Sequence, residues 1–403
     1  MSKYNIFPGF IVLLIIVLVS CEIKDSDIAP DASFVRVYES SNIDEAYYPE
    51  DIIQLENRNY LIISSLDDSS FTNFPKVSLT ALTPSGDIIS SIVLPENYTN
   101  PVPEWLHMND QTYFICMDDV TLQAKVIQVG LTGDNLTYSE FMELDRRLPL
   151  FVRKEGSNIL TLSYDRIGRS SVIDLYDSNL NPQWASSVPT NEDFENAVRL
   201  HLKKRGKPFP FFIGGIDNDG ILDYYFVNCL ANYSMAMLFL EGASGSVTGR
   251  LYTYQEETSI SSAIYLNQDT FALSRFHSGD NYVFPRVGLD INSLQNAENF
   301  NDILISQLNA DATMDIMLYD LNDRQFVVYA STSKANKIVM LFFDAETGEQ
   351  IQVHTLGYGN PVEVVSIIQT QDNGIAVLGK TWINGQYQRM ILYKLSSDQL
   401  NLD

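Results

Sequence analysis

The sequence has few of the residues that cross-link small folds through disulfides, ligate zinc or contact nucleic acids. It has three cysteines and four histidines among 403 residues, and no histidine has a second His or Cys at metal-ligand spacing. This composition argues against a disulfide scaffold and against a zinc site. There are 26 Lys and Arg against 51 Asp and Glu, and a net charge of −25 excludes a general nucleic-acid binder. Nucleophile-elbow, phosphate-loop and dinucleotide motifs are absent from the sequence.

The chain also lacks an apolar run of transmembrane length. The run at residues 10–19 has ten residues, and ten residues at ~1.5 Å each cannot cross a hydrocarbon core of ~30 Å. With Lys3 before it, the run is typical of a secretory signal peptide, which we assign to residues 1–20.

The end of this run reads Leu18-Val19-Ser20-Cys21. It resembles the lipobox of bacterial lipoproteins, and the resemblance implies that Cys21 is the first mature residue and carries acyl chains such as palmitate. Several acyl chains anchor a protein to a membrane without a transmembrane helix. The alternative is an ordinary signal peptide cut near Ser20, with Cys21 unmodified.

Residues 21–32 are predicted to form an acylated flexible tether. Within it, residues 22–27 combine one lysine with three acidic residues, which is similar to the signal that sends some Gram-negative lipoproteins to the outer cell surface. A merely solvated tether explains the same composition. We therefore expect a lipid-anchored protein of the outer membrane, on either its periplasmic or its external face.

Beyond the tether, the sequence repeats a strand-turn-strand pattern with a period of about fifty residues. The clearest copy has strands at residues 362–368 and 375–381 around the turn Gln371-Asp372-Asn373-Gly374, with a third strand at 388–395. Similar turns are centred at residues 58, 110, 156, 219, 268 and 323, which are 46 to 63 residues apart. A second series follows the first by about 25 residues, near residues 86, 133, 180, 245, 292, 348 and 397.

Seven pairs of turns with four short strands each predict an all-β fold, a β-propeller of seven four-stranded blades over residues 33–403. The last unit ends without an outer strand, and the segment 33–39 alternates without a partner, so we expect this segment to supply that strand. The copy Thr370-Gln371-Asp372-Asn373-Gly374-Ile375 resembles the Thr-x-Asp-Gly-Gly-Tyr-like hairpin of secreted and lipid-anchored bacterial propellers. This resemblance implies an architecture and no reaction.

One insertion interrupts the repeat between the third and fourth units. Thr190 is a candidate N-cap, and Phe194, Val198 and Leu202 lie four apart on one helical face, which predicts a helix around residues 191–205. From residue 146 to 207 there are eleven basic residues against seven acidic ones. Either these cations complement the helix end and the solvated strand ends, or they form a cationic patch of Arg146, Arg147, Lys203, Lys204, Arg205 and Lys207.

Aromatic residues beside prolines are the other candidate for ligand binding. They are predicted to lie in loops on one face, where rings can stack on a sugar or anchor a protein; the set is Tyr47, Tyr48, Tyr98, Trp105, Tyr358 and Trp382. Blade-to-blade packing is the alternative role for such tyrosines. The remaining cysteines, Cys116 and Cys229, lie in apolar runs and are predicted to be buried free thiols.

These observations predict a non-catalytic binding or scaffold module for a glycan or an envelope protein, with no cofactor, metal or nucleic-acid partner. The segment 217–223 is similar to the calcium loop of propeller repeats, but Gly215 stands where the first carboxylate ligand belongs. The alternative function is a glycoside hydrolase or other hydrolase with paired carboxylates in the central funnel.

Overall fold

The computed structural model describes residues 29, 31–39, 45–67, 74–191, 193–206, 208–218, 221–253, 258–383 and 387–402. The predicted signal peptide, Cys21, nearly all of the tether and Lys207 lie outside these ranges. No helix within the described ranges is both long enough and apolar enough to cross a membrane.

The chain is built from antiparallel strands that pair with their neighbours along the sequence. One sheet of nine strands holds two sets of four, which the short β6 (Tyr98–Thr99) links. The first set is β2 (Ala46–Gln54), β3 (Tyr60–Asp67), β4 (Lys76–Leu82) and β5 (Ile88–Val93), and the second is β7 (Leu106–Met108), β8 (Gln111–Asp118), β9 (Ala124–Thr132) and β10 (Asn135–Glu143).

Four more sheets follow the same scheme. They are β11 (Leu148–Glu155), β12 (Asn158–Asp165), β13 (Ser170–Tyr176) and β14 (Pro182–Pro189); β15 (Phe212–Asn218), β16 (Ile221–Ala231), β17 (Ser234–Glu241) and β18 (Val247–Tyr252); β19 (Thr258–Asn267), β20 (Thr270–His277), β21 (Asp280–Gly288) and β23 (Ile303–Leu304); and β24 (Asp315–Leu321), β25 (Arg324–Thr332), β26 (Ile338–Asp344) and β27 (Gln350–Leu356).

The last sheet joins the two ends of the chain. Strands β28 (Val362–Gln369), β29 (Ile375–Ile383) and β30 (Tyr387–Leu395) pair in order, and β1 (Phe34–Tyr38) pairs antiparallel with β30. The predicted partner of the N-terminal strand is therefore the observed one. The hydroxyl of Tyr38 also donates to the carbonyl of Gly86 at 2.9 Å, in the turn between β4 and β5, so β1 contacts both the last and the first set of strands.

The turn chemistry explains the strand pairing. Asn109-Asp110 and Asn322-Asp323 have positive φ at both residues, as two-residue hairpin turns require, and Asn and Asp tolerate this conformation better than other non-glycine residues. Gly86 has φ +82°, and a Cβ there would stand 2.6 Å from the Phe34 ring. Glycine is needed at this position both for the turn and for the approach of β1.

Two positions of the second series depart from a simple hairpin, although the turn predicted near residue 292 is present, with the N–H of Ser293 donating to the carbonyl of Asp290 at 3.2 Å. Near residue 292 the chain leaves the sheet, β22 (Leu294–Asn296) pairs in parallel with β18, and a 3₁₀ turn (Ala297–Asn299) precedes β23. At residue 397 the chain forms a short helix, α2 (Ser397–Leu400), instead of a turn.

The inserted helix is shorter than predicted. Helix α1 (Glu195–Leu202) begins after Phe194 and has eight residues. Thr190 does not cap it, because its hydroxyl donates to the carbonyl of Arg169 at 2.9 Å. The predicted apolar face is confirmed for Val198 and Leu202, which are buried.

Apolar residues fill the space between neighbouring sheets. The second and third strands of each set are buried over most of their length, while outer strands such as β27 are mostly exposed or half-buried. Cys116 and Cys229 are buried free thiols within these clusters, as predicted. In every set but the second, the first strand faces a central cavity, which is described next.

Candidate functional site

A central cavity is lined by the first strands of six sets and by the segment before β7. It has two chambers of about 470 Å³ and about 550 Å³. We call the residues that line both chambers the collar: Asp51, Glu104, Arg153, Ile213, Ala263, Ile264, Asp315, Ile316 and Ser366. They come from β2, the segment before β7, β11, β15, β19, β24 and β28, so each set contributes at least one of them.

Four inner strands each contain a β-bulge whose additional residue faces the first chamber. The register with the next strand skips one residue in β2, β11, β19 and β28, namely Glu50, Leu150, Ser261 and Val365. All four of these residues line the first chamber. A bulge breaks the strict alternation of side chains, which is why the consecutive residues Glu50 and Asp51 both reach the cavity.

Asp51 is held in the collar by neutral donors. Its Oδ1 accepts from the hydroxyl of Ser366 at 2.8 Å, and its Oδ2 accepts from the backbone N–H of Trp105 at 3.0 Å. The side chain is half-buried because it faces the cavity deep within the molecule. Burial, and secondly the charge of Glu104, raise the pKa of Asp51 well above its ordinary value.

Asp315 is held in the same way. Its Oδ2 accepts from the backbone N–H of Ile367 at 2.7 Å, and its Oδ1 accepts from the N–H of Ile316 at 3.0 Å. Burial raises the pKa of Asp315 to about 7, against the lowering effect of these hydrogen bonds. A carboxyl group that titrates near neutrality can carry a proton or a charge under physiological conditions.

Arg153 pairs with two further carboxylates at the cavity, Glu104 of the collar and Glu155 of the second chamber. Its guanidinium donates to Glu155 at 2.8 Å and to Glu104 at 3.0 Å. The charge of Glu104 is the largest cause that raises the pKa of Arg153. Glu104 has a positive φ of 80°, which is uncommon for a non-glycine residue and often marks functional positions.

The insert, residues 193–206 and 208–211, covers the first chamber. His201, Leu202 and Lys204 line it together with the segment 208–211. Burial lowers the pKa of His201 to about 3, and its neutral Nδ1 accepts from the N–H of Phe209 at 3.1 Å. This bond holds the chain in the return turn after α1.

Ion pairs fasten the insert to the first set of strands. The Nζ of Lys204 lies 2.8 Å from Glu50, and Arg205 lies 3.2 Å from Asp67. The ammonium of Lys203 lies 5.2 Å from the centre of the Phe74 ring. The insert therefore connects two parts of the chain that are more than a hundred residues apart in sequence.

Most described residues of the predicted cationic patch make contacts within the protein. Lys204 and Arg205 bind carboxylates of the first set, and Lys203 lies over Phe74, as described above. Arg147 pairs with Asp145 at 2.6 Å and Asp174 at 2.7 Å, away from the chambers. Arg146 is exposed in the segment before β11. Arg147, Lys204 and Arg205 therefore stabilise the protein itself, because nearby acidic residues pair with them.

The predicted aromatic set is also dispersed. Tyr48 lines the first chamber and Trp105 the second, whereas Tyr98 bonds to Glu140 at 3.1 Å near β10. Tyr358 is 92% exposed. Tyr47, Tyr98, Tyr358 and Trp382 are not among the described residues that line the chambers.

The predicted loop positions of several of these aromatics are wrong. Tyr47 and Tyr48 lie within β2, Tyr98 lies in β6, and Trp382 lies near the end of β29. Strand pairing continues past the predicted turn boundaries, which places these four residues in the sheets. Trp105 lies in the segment before β7, as predicted, but it is only 7% exposed and packs edge-to-face on Phe114 with ring centres 5.8 Å apart.

The collar residues were missed by reasoning from the sequence, although a signal for them exists. Asp51, Glu104, Asp315 and Ser366 each stand six to eight residues before the first turn of their unit. A polar residue at one repeat position of otherwise apolar inner strands marks the wall of a central cavity. Among the described residues, no cluster of three His, Cys, Asp or Glu is arranged to hold a metal ion.

No family model and no curated protein matches the chain. Among solved structures, it is similar to a catalytically inactive virginiamycin B lyase from Staphylococcus aureus with quinupristin, at 11% identity and a TM-score of 0.51, over 90% of this chain and 100% of the lyase chain. It is also similar to a sialidase from Trypanosoma rangeli, at 7% identity and a TM-score of 0.47, over 89% of this chain and 55% of the sialidase chain. The β-propeller domain of the Trilobed protease from Pyrococcus furiosus has 8% identity and a TM-score of 0.45, over 90% of this chain and 100% of that domain's chain. This chain is an all-β protein whose structural neighbours are β-propellers.

Proposed function

We propose that the chain is a lipid-anchored, seven-bladed β-propeller of the outer membrane that acts as a non-catalytic binding module for a glycan. In this proposal each set of four strands is one blade, and β1 closes the ring by pairing with β30. Cys21 carries the lipid, and residues 21–32 are the tether.

The single observation that carries the binding role is the collar. Residues from every set converge on a cavity of several hundred cubic ångströms, where hydrogen-bonding side chains such as Asp51 and Ser366 stand beside apolar ones such as Ile213 and Ile264. Phe151 and Phe212 add aromatic walls to the first chamber. Concave sites with apolar walls and a few convergent polar groups are typical of small-ligand binding.

The test is a thermal-unfolding screen of the full chain in detergent, followed by intrinsic fluorescence, against neutral, sulfated and uronic oligosaccharides. A ligand that binds only the native state stabilises it by about 2.7 kcal/mol at a hundredfold excess over Kd. We expect one class of sugar to raise Tm, and Ser366→Ala to reduce the shift. Ser139→Ala, in the exposed part of β10, is the matched control. No shift with any sugar would favour a protein scaffold over a glycan binder.

A second candidate function is hydrolysis, which the two protonatable collar carboxyls favour. A general acid needs a carboxyl that holds its proton near neutral pH, and Asp51 and Asp315 have raised pKa values. If the protein is a glycosidase, it should release nitrophenol from a panel of nitrophenyl glycosides, and Asp315→Asn should abolish turnover while Tm stays within a few degrees. Absence of turnover across the panel would leave the binding module as the function.

A further inference from the structure

The charges around the central cavity define what kind of ligand it accepts, given the proposed binding role. The two chambers are lined by five acidic residues, Glu50, Asp51, Glu104, Glu155 and Asp315, and by three basic ones, Arg153, Lys204 and Lys380. The excess of acid could be neutralised within the protein or left for a ligand. The ion pairs of the three basic residues distinguish these two cases.

Each basic residue already has a carboxylate partner. Lys204 pairs with Glu50 at 2.8 Å, and Lys380 pairs at 2.8 Å with Glu363, a residue outside the lining. Arg153 serves both Glu104 and Glu155, as described above. The three basic residues that line the chambers therefore all form ion pairs within the protein, with Glu50, Glu104, Glu155 and Glu363.

Asp51 and Asp315 have no direct ion pair with a cation, although the charge of Arg153 acts to lower the pKa of Asp315. Among the described residues, no basic group lies within 4.0 Å of either carboxylate, and their hydrogen-bond donors are the Ser366 hydroxyl and backbone N–H groups. Each carboxylate oxygen can accept further hydrogen bonds beyond the one shown. Both side chains line both chambers, so a molecule in the cavity has access to them.

Two buried amide oxygens at the first chamber also lack a hydrogen-bond donor from the described residues. The side-chain oxygen of Asn100 is buried and has no hydrogen-bond partner among the described residues, and Asn100 is 1% exposed. The side-chain oxygen of Gln388 is likewise unpartnered. Both residues line the first chamber. A ligand rich in hydrogen-bond donors would satisfy acceptors that the protein leaves unpaired.

We propose that the central cavity binds an organic ligand that carries a protonated amine, whose ammonium group is held at the collar by Asp51 and Asp315. An ammonium offers three donors and a positive charge, which matches acceptors without cationic partners. Apolar collar residues, Ile213, Ala263 and Ile264, face the same space and suit the carbon skeleton of such a ligand. The proposal rests on the binding role of the cavity and does not depend on the ligand being a sugar.

Proton exchange accompanies this binding. Burial raises the pKa of Asp315 to about 7, so near neutral pH the empty site holds a proton for part of the time. The neighbouring charged groups are Glu104 and Arg153 on the collar and Glu155 beside it. An ammonium that pairs with the carboxylate displaces this proton into the buffer, and the apparent binding enthalpy then varies with the ionisation enthalpy of the buffer.

The test is calorimetric titration of the full chain in detergent with two matched sets of probes. The first set is glucosamine, glucose and N-acetylglucosamine, which differ in whether they carry a free amine. The second set is cyclohexylamine and cyclohexanol, which have no sugar hydroxyl pattern. We expect each amine to bind at least tenfold more tightly than its neutral counterparts, with a buffer-dependent enthalpy at pH 7.

Variants connect the effect to the collar. Asp315→Asn and Asp51→Asn should each weaken amine binding about tenfold more than they weaken the binding of neutral probes, and Asp134→Asn, in an exposed turn, should change neither. Should Asp51→Asn fail to fold by circular dichroism, Asp315→Asn and the buffer dependence still decide the matter.

The outcomes separate this inference from the proposed function. Equal affinity for glucose and glucosamine would overturn the amine requirement and leave glycan binding in place. Binding of cyclohexylamine without any sugar would overturn glycan binding and support the amine requirement. No binding of any probe would overturn both.

Discussion

Asp51 and Asp315 bind neighbouring residues of one strand. Asp51 accepts from the hydroxyl of Ser366 at 2.8 Å, and Asp315 accepts from the backbone N–H of Ile367 at 2.7 Å. Strands β2 and β24, which carry the two aspartates, lie on either side of β28. The two carboxylates therefore join three neighbouring inner strands at the collar, so their protonation affects both the cavity and the stability of the fold.

Stability should fall with rising pH because of these two groups. Burial raises both pKa values, to about 7 for Asp315, whereas unfolded Asp titrates near ~3.9. Between about pH 4 and pH 7 the folded state thus binds more protons than the unfolded chain, and the free energy of unfolding decreases as pH rises through this window. Denaturant titrations at pH 5 and pH 8 should show this loss, and Asp315→Asn should reduce it.

The comparison with a surface variant isolates the effect. A chain of net charge −25 also loses stability through general repulsion as pH rises, and this contribution persists in every variant. Asp134→Asn, in an exposed turn, should keep the wild-type difference between pH 5 and pH 8. The same difference in Asp315→Asn and in wild type would show that Asp315 is ionised in the folded state at both pH values.

The ion pair that fastens the insert should be worth more than an ordinary surface pair. Glu50 is 9% exposed and accepts from both Lys204 and the Ser65 hydroxyl. Glu50→Gln leaves the charge of Lys204 without its partner, and we expect a loss of about 1–3 kcal/mol, below the ~3–5 kcal/mol of a fully buried pair. Hydrogen exchange of residues 193–206 should also become faster.

Glu363→Gln is the matched control for this prediction. Glu363 pairs with Lys380 at the same distance of 2.8 Å, but its side chain is 40% exposed, so the expected loss is below about 1 kcal/mol. Glu50→Gln with Lys204→Met should recover stability, since the unpaired charge is removed. Equal effects of the two glutamine variants would show that the insert is held by its apolar contacts instead.

The repeat and most of its turns could be predicted because they depend on local chemistry, and the partner of the N-terminal strand could be predicted because counting strands left the last unit one strand short. Asn-Asp and Gly-containing turns need positive φ, and the missing outer strand of the last unit leaves an edge for β1. The helix boundary could not be predicted, since the hydroxyl of Thr190 bonds to Arg169, a residue distant in sequence.

The collar could not be predicted because it depends on register and on long-range neighbours. A bulge at Glu50 or Val365 shifts the faces of β2 and β28 by one residue, and periodicity alone does not reveal it. Charge counting in sequence windows left open whether Lys204 and Arg205 complement the helix end or form a cationic patch, because their partners Glu50 and Asp67 lie more than a hundred residues away. Tyr47, Tyr48, Tyr98 and Trp382 were assigned to loops because the sequence does not show how far each strand extends, whereas Trp105 and Tyr358 do lie in loops.

Trp105 should behave as a core residue and not as a dispensable ligand contact. It is 7% exposed, packs on Phe114 and holds Asp51 through its backbone N–H. Trp105→Ala should lower the free energy of unfolding by about 3–5 kcal/mol. Tyr358→Ala, at a residue that is 92% exposed, should leave it within about 0.5 kcal/mol. An unchanged Tm for Trp105→Ala would show that this side chain is not a core residue and would support its predicted role as a ligand contact.

The N-terminal strand should stabilise the fold more than one edge strand would suggest. Phe34 is 9% exposed and packs against the turn at Gly86, and β1 pairs with β30 over five residues. Phe34→Ala should cost about 3–5 kcal/mol, and Tyr38→Phe about 1 kcal/mol through its bond to Gly86. Val35→Ala, at a 52% exposed position of the same strand, should cost far less. If Phe34→Ala and Val35→Ala gave the same denaturant midpoint, β1 would be a peripheral strand and the contact between the first and last sets would not contribute to stability.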